Sequence, residues 1–288
     1  MTLPTALPHG REEVLAWCRA VDEGPWSSLA VPERVTFPSH SMTVQLAAAA
    51  ALTERVRLWT TIIILPAHSA VQTAKDMASV DRLSNGRLTV GVGVGGREHD
   101  YIALDAPFDH RWQRMDDQVA MMRKVWAQEP PFEGADPVGP PPHQPNGPPL
   151  VAGVLGPKAM ARAAAWATGV DDASTVTGVN PDLFSHQIGK IRKAWSDAGR
   201  TDAPHISASL WYALGDGAED RLRSYAFDYL RIFGDDFAKT MAGMATCFTP
   251  DALRTAVADA KAAGCDELFL VPTTTDVTSL DLTLEVLA

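Results

Sequence analysis

The chain has 288 residues, of which 46% are hydrophobic and 21% charged, and this composition excludes wholesale disorder. Its formal net charge of −10 argues against a nucleic-acid partner, because a surface that binds the phosphate backbone must be basic. No apolar stretch approaches the length of a membrane span, and no secretory signal pattern is present. The three cysteines are widely spaced and form neither a disulfide nor a zinc pattern. We therefore expect a cytoplasmic protein without a bound metal.

Short apolar runs alternate with amphipathic stretches along the chain. The predicted strands are Met1–Leu7, Ser27–Val35, Val56–Leu65, Arg87–Gly93, Leu150–Val154, Val170–Thr177, His205–Leu214 and Glu267–Val271. The predicted helices are Arg11–Asp22, Met42–Arg55, Ser69–Leu83, Asp109–Ala127, Pro157–Ala167, Pro181–Ala198, Ala218–Phe233, Pro250–Ala263 and Ser279–Leu287. This alternation predicts an α/β fold with a parallel sheet, and eight strands favour a closed (β/α)8 barrel, a single domain spanning residues 1–288.

One segment interrupts the alternation. Residues 129–149 contain nine prolines and three glycines, which excludes a regular helix or a central strand. The segment is either a surface connection between the fourth and fifth units or a loop over the mouth of the barrel. Because little other chain is left for a lid, we expect an open mouth.

A glycine run closes the fourth predicted strand. Residues 91–96 match the G-x-G-x-x-G pattern, but the residues that follow lack a clear helical period. The acidic residues at the distance of a dinucleotide site, Asp116 and Asp117, lie inside a predicted helix rather than at a strand end. We therefore interpret the run as a strand end without side chains, which a flat or phosphorylated ligand approaches closely. Ordinary tight-turn glycines are the alternative.

A second glycine site lies between the fifth strand and its helix. Gly153 and Gly156 precede Pro157 and Lys158, so free backbone N–H groups and the helix dipole predict an anion site. Lys158 would add attraction for a phosphate. A plain turn is the alternative.

Several stretches together resemble one family. They are residues 52–58, Ile62–Pro66, Val80–Leu88 with the sequence Asp-Arg-Leu-Ser-Asn-Gly-Arg at 81–87, and Gly91–Gly95. Over about residues 43–170 the chain resembles the bacterial luciferase-like flavin monooxygenases. The resemblance implies a TIM barrel that binds reduced FMN, or its relative coenzyme F-420, at the carboxyl ends of the strands.

The resemblance also implies which residues bind the cofactor. A non-proline cis peptide that supports the flavin ring in the family corresponds here to Ile62-Ile63. The remaining cofactor-binding residues implied by the family are Val94, Gly95, Gly96, Gly153, Leu155, Gly156, Pro157, Lys158, Ala159, Thr175 and Thr177.

The chain departs from the family at the end of the second strand. Many members carry an acidic residue followed by a catalytic histidine, whereas this chain has Glu33 and Arg34. Glu33 keeps the acid as a catalytic candidate, and nearby His40 has a side chain suited to proton transfer near neutrality. Arg34 would pair with a carboxylate or phosphate of cofactor or substrate, or form an ion pair with Glu33 or Asp22. Glu98 is a candidate acid, with a solvated loop residue as the alternative.

The leading hypothesis is a monooxygenase that uses reduced FMN and O₂ on a small organic substrate. The alternatives are a coenzyme F-420-dependent hydride-transfer oxidoreductase without O₂ and a non-catalytic flavin-binding relative. A barrel hydrolase or lyase is a fourth reading, but it lacks a metal cluster and a lysine at a strand end. The resemblance also implies a separate reductase as partner and a homodimer.

Overall fold

Each strand pairs in parallel with the strand that follows it in the chain. The computed structural model describes residues 1–4 and 6–288. The strands are β1 (Ser28–Val31), β2 (Arg57–Ile64), β3 (Leu88–Gly93), β4 (Leu150–Val154), β5 (Gly169–Asp172), β6 (His205–Tyr212) and β7 (Glu267–Pro272). The helices are α1 (Arg11–Glu23), α2 (Met42–Leu52), α3 (Ala70–Leu83), α4 (Glu98–Ala103), α5 (Arg111–Trp126), α6 (Pro157–Trp166), α7 (Pro181–Asp197), α8 (Ala218–Leu230), α9 (Asp235–Gly243), α10 (Pro250–Ala263) and α11 (Ser279–Leu287).

Residues 1–4 lie between the first and last strands. The Leu3 N–H donates to the Ala30 carbonyl at 2.9 Å, and the Thr2 N–H donates to the Leu270 carbonyl at 3.1 Å. The predicted barrel is thus confirmed, but residues 1–4 and 6–288 form seven strands, with one bridge from Thr2 to Ala30 in place of the eighth. Pro4 has no N–H to donate to a neighbouring strand. The predicted strand Met1–Leu7 also includes Thr5, which lies outside the described residues.

Residues along each strand alternate between the inside and the outside of the barrel. Val151 faces inward and packs with Ala30, Trp59 and Phe269. The next residue, Ala152, faces outward into the layer formed with α6 and α7. The parallel strands therefore place all their carboxyl ends at one mouth, where barrels carry their sites.

The proline-rich connection lies at the opposite end. The buried Asp81 carboxylate accepts the backbone N–H groups of His143 and Gln144, both at 2.8 Å. The Gln144 side chain also donates to the Leu88 carbonyl at 2.7 Å, at the start of β3. The segment thus joins α5 to the amino end of β4, and its interpretation as a loop over the mouth is wrong.

A different segment covers the mouth. After β6, helix α8 is followed by a short 3-10 turn (Arg231–Phe233) and α9. The Tyr229 ring packs edge-on against Phe37, which follows β1, with centroids 5.5 Å apart. Arg97, which follows β3, donates to the Tyr229 carbonyl at 3.3 Å. Because α8 reaches the loops of two strands across the barrel, the expectation of an open mouth is wrong.

None of the helices in the described ranges is both long and apolar enough to cross a membrane.

Candidate active site

The end of β2 is irregular. Its register with β3 shifts between Thr60 and Ile63, and the peptide bond between Thr61 and Ile62 is cis. The resemblance placed a cis bond between Ile62 and Ile63, so that prediction is wrong by one residue. The extra residue in β2 turns the Ile62 side chain toward β3 and β4.

Three glycines make room for this bulge. A Cβ on Gly93 would overlap Cδ1 of Ile62, a Cβ on Gly153 would lie 2.8 Å from the same atom, and a Cβ on Gly91 would overlap the Thr60 carbonyl oxygen. The space left by these glycines is filled by β2, so ligand access is not their immediate reason. We call Ile62, Gly93 and Gly153 the Ile62 platform.

Beyond β3 the chain turns across the mouth. The Val94 carbonyl accepts the Tyr101 hydroxyl at 2.6 Å. Gly95 has φ +58°, the left-handed conformation that favours glycine, and lies against the Ile64 side chain. Gly96 is exposed and close to the Phe233 ring. The predicted contact region 94–96 therefore lies between the end of β3 and the α8–α9 cover.

The turn after β4 has the features of an anion site. Gly156 is the N-cap of α6, no side chain caps this helix, and no atom outside its neighbours lies within 4 Å of its Cβ position. Leu155, Pro157 and Lys158 are exposed, and Ala159 is half-buried. The first N–H groups of α6 are thus open to an anion, with a lysine beside them.

The two threonines after β5 are buried. The predicted strand Val170–Thr177 is too long, because β5 ends at Asp172, whose carboxylate accepts the Ser174 N–H at 2.8 Å and caps a 3-10 turn. The Thr175 hydroxyl donates to the Ser209 carbonyl at 2.8 Å. The hydroxyl proton of Thr175 is therefore donated within the barrel wall. Thr177 is also buried.

Glu33 joins the ends of β1 and β2. One carboxylate oxygen accepts the Ile64 N–H at 2.6 Å, and the other lies 2.9 Å from Nε2 of His68. Burial alone would lower the pKa of His68, but the hydrogen bond and charge of Glu33 outweigh burial and raise it. Sequence reasoning missed this pair.

Arg34 lies under the cover. Its guanidinium stacks on the Tyr229 ring, 4.6 Å from the centroid, and Nη1 donates to the Glu33 carbonyl at 3.0 Å. Among the described residues it forms no ion pair with Glu33 or Asp22, the alternative considered from sequence. Burial and the neighbouring Arg97 lower its pKa to about 10, so Arg34 stays cationic at neutral pH and cannot replace a histidine in proton transfer.

Sequence reasoning missed the residues around Arg34. Arg97 is 7% exposed, and its Nε lies 3.7 Å from a carboxylate oxygen of the fully buried Asp100. The other Asp100 oxygen accepts the Thr36 N–H at 3.0 Å and its hydroxyl at 2.7 Å. The available signal was the spacing, because Arg97 and Asp100 are three residues apart, as neighbours on one helix face are.

The remaining catalytic candidates are exposed. His40 lies in the loop before α2, and its ring packs edge-on against His9 at 5.1 Å. Glu98 is the first residue of α4. Both side chains are open to solvent, and neither is held in place by a hydrogen bond within residues 1–4 and 6–288.

One further titratable group faces the barrel interior. Asp171 is in register with Gly153 on one side and Ser207 on the other, so its side chain lies on the same face of the sheet as the Ile62 platform. Its carboxylate is 3.1 Å from the Ser207 hydroxyl. Burial raises its pKa from 3.8 to about 7.

Comparisons with known proteins agree with this geometry. A sequence model of the family described as luciferase-like monooxygenase matches residues 3–269. The chain belongs to the luciferase-like monooxygenase family. An uncharacterized protein of Mycobacterium tuberculosis is 30% identical over 172 residues, which are 57% of this chain and 59% of that relative. The match therefore spans less than two thirds of the relative's length.

Solved structures of the same fold include a monooxygenase and an F420-dependent dehydrogenase. The monooxygenase RslO1 of Streptomyces bottropensis superposes with a TM-score of 0.74 and 22% identity, over 96% of this chain and 90% of that one. An F420-dependent secondary alcohol dehydrogenase, in complex with an F420–acetone adduct, superposes with a TM-score of 0.76 and 18% identity, over 96% of this chain and 94% of that one. At these identities the likeness establishes the luciferase-like barrel.

Proposed function

We propose that this luciferase-like protein is a monooxygenase that uses reduced FMN and O₂ on a small organic substrate. The observation that carries the proposal is the Ile62 platform, an apolar surface at the mouth of the barrel. It includes Gly153 of β4, the strand that leads into the uncapped start of α6. A flat ring fits the platform, and a phosphate fits the N–H groups and Lys158. Bound reduced FMN would supply two electrons, so that one oxygen atom of O₂ enters the substrate and the other leaves as water.

In this proposal the residues of the chain bind and orient the cofactor and exclude water from it. Ile62, Gly95, Gly96 and the 153–159 turn would hold the cofactor, and the α8–α9 cover would keep solvent from the reacting centre. We keep His40 and Glu98 as candidates for proton transfer. A His40→Ala variant with unchanged kcat removes His40 from the reaction, and Glu98→Gln tests Glu98 in the same way.

The second candidate is hydride transfer with coenzyme F-420 without O₂. It is favoured by the TM-score of 0.76 with an F420-dependent dehydrogenase over nearly the whole chain. A non-catalytic flavin-binding relative is the third, because Arg34 replaces the histidine expected from the family. We further infer a homodimer, a separate reductase and a reducing cytoplasmic setting, the last because Cys18, Cys247 and Cys265 are all free thiols.

Separate titrations decide between these candidates. The purified protein is titrated anaerobically with reduced FMN and with coenzyme F-420, followed by absorbance and fluorescence. Saturable binding of reduced FMN and substrate oxidation coupled to O₂ consumption support the monooxygenase. Binding of F-420 with O₂-independent turnover supports the dehydrogenase, and saturable binding of neither overturns the proposal.

A further inference from the structure

Two guanidinium groups and two tyrosines meet beneath the cover. Arg34 stacks on Tyr229, and Arg97 donates to the Tyr229 carbonyl at 3.3 Å. The rings of Tyr225 and Tyr229 are stacked with centroids 6.2 Å apart. We call Arg34, Arg97, Tyr225 and Tyr229 the arginine cluster. Three separate segments of the chain, the loops after β1 and β3 and helix α8, build it.

The cluster contains hydrogen-bond donors that the protein does not use. The Nε of Arg34, the Nε of Arg97 and the hydroxyl of Tyr225 are buried, and none has a hydrogen-bond partner among residues 1–4 and 6–288. Arg97 and Tyr225 are more than nine-tenths buried. Unpaired buried donors are rare in native proteins, because each loses its hydration without compensation. Three such donors in one cluster indicate a site that a ligand completes.

The charge balance indicates an anion. Arg34 and Arg97 face the Asp100 carboxylate. Its Oδ2 lies 3.7 Å from the Arg97 Nε and has no hydrogen bond among the described residues, whereas its Oδ1 is bonded to Thr36. The Glu33 carboxylate also faces Arg34, but its two oxygens are engaged by Ile64 and His68. With His68 protonated on Glu33, the three cationic groups Arg34, Arg97 and His68 outnumber the two carboxylates Asp100 and Glu33 by one charge. Arg34 and Tyr229 are partly exposed, so the cluster is reachable from the mouth. A guanidinium pairs bidentately with a carboxylate or a phosphate.

Aromatic rings form the walls of the cluster. Trp211 packs against Tyr225 and Tyr229, with centroids 5.6 and 4.8 Å away. The Arg97 guanidinium lies over the Phe37 ring at 4.5 Å. These rings make the surroundings of the donors aromatic and apolar.

We propose that the substrate is an aromatic or similarly flat apolar carboxylate, whose anionic group binds between Arg34 and Arg97 and accepts a hydrogen bond from Tyr225. This rests on the proposed function, because the cluster belongs to the same mouth as the Ile62 platform: Arg97 directly follows Gly95 and Gly96. A cofactor phosphate has a separate place at the start of α6, which follows β4.

Calorimetry with benzoate tests the proposal on the full chain without added cofactor. We expect benzoate to bind and the neutral isostere benzamide to bind much more weakly. Arg34→Gln should weaken benzoate binding roughly tenfold to a hundredfold, because it removes a charged hydrogen-bond donor. Tyr225→Phe should weaken it several-fold without lowering Tm, because the hydroxyl has no partner to lose.

Tyr212→Phe is the matched control. Its hydroxyl is bonded to Thr283 at 2.9 Å, outside the cluster, so this variant should lose stability and keep benzoate affinity. Equal binding of benzoate and benzamide, or unchanged benzoate affinity in Arg34→Gln, overturns the proposal. If Arg34→Gln weakens reduced FMN but not reduced riboflavin, and benzoate does not bind, the cluster holds the cofactor phosphate and the proposal is wrong.

The two proposals fail separately. Benzoate binding that depends on Arg34, with no binding of FMN or F-420, overturns the proposed function and supports the carboxylate site. Cofactor binding without benzoate binding overturns only the carboxylate site.

Discussion

Glu33 accepts the backbone N–H of Ile64 at 2.6 Å, so the end of β1 fixes the end of β2 immediately after its bulge. The second carboxylate oxygen holds His68. The acid that the chain shares with its family thus positions the strand that carries Ile62. A carboxylate engaged on both oxygens is also poorly placed to exchange a proton with a substrate.

Glu33→Gln should lower the free energy of unfolding by about 1.5–3 kcal/mol, the range for a hydrogen bond to a charged group. A raised histidine pKa stabilises the fold below the unfolded value near 6.5, and this contribution is lost as pH rises through the folded pKa. The loss should therefore be larger at pH 6 than at pH 8.5 in urea unfolding. NMR titration should show a lower pKa for His68 in the variant. Exposed His40→Gln is the control, and a pH-independent difference would contradict the pairing.

Asp171→Asn should change how stability depends on pH. The folded pKa of Asp171 is about 7, and its ordinary value is 3.8. Between pH 3.8 and about pH 7, the folded state therefore keeps a proton that the unfolded state has lost. The free energy of unfolding should fall with rising pH in that window, with this group contributing at most about 1.4 kcal/mol per pH unit. Asp171→Asn should flatten that slope and stabilise the protein at pH 8. Glu285→Gln, at an exposed residue, serves as the control. An unchanged slope in Asp171→Asn would contradict the raised pKa of Asp171.

The glycines of the bulge should tolerate alanine unequally. Gly91→Ala places a methyl group against the Thr60 backbone, which cannot move aside, and should cost about 3 kcal/mol or more. Gly93→Ala meets only the flexible end of Ile62, so it should cost about 1 kcal/mol while displacing Ile62 and weakening the binding of reduced FMN. Thermal unfolding and cofactor titration measure both effects.

Gly189→Ala is the control for these glycines. It lies in α7 with open space around its Cβ position and should be neutral or stabilising. Equal stability of the Gly91 and Gly93 variants would contradict the described packing of β2 on β3.

Lys158→Glu should weaken the binding of reduced FMN by about tenfold, because it places a negative charge beside the uncapped start of α6. The binding of reduced riboflavin, which lacks the phosphate, should change little. Lys261→Glu, at an exposed lysine on α10, is the matched control. Equal losses for both ligands would place the phosphate elsewhere.

Much of the barrel follows from hydrophobic periodicity alone. The β-branched run at β2 and the amphipathic helices predicted the parallel units close to their observed bounds. Short elements escaped prediction: α4 has six residues and α9 nine, too few for a period to stand out. The end of β5 was misjudged because a side-chain cap at Asp172, rather than hydrophobicity, ends the strand.

The candidate site was less predictable than the fold. The glycines near 95 and 156 were found from their position at strand ends, and Glu33 was found from the resemblance. Its partner His68 is 35 residues away in the chain, and Arg97 meets Tyr229 across 132 residues. Contacts of this kind depend on how the barrel closes and on how α8 crosses it, which local patterns do not record.

The residues most typical of the family, 81–87, lie at the end of the barrel away from the mouth. There Asp81 holds the proline-rich connection, and Arg87 donates to carbonyls at the start of β2 and the end of α2. Two chains can share this stretch letter for letter and differ in every atom that meets a substrate. Chimeras that exchange the loops after β1, β3 and β6 between relatives would therefore keep the contacts of residues 81–87 at the far end of the barrel while acquiring new specificity.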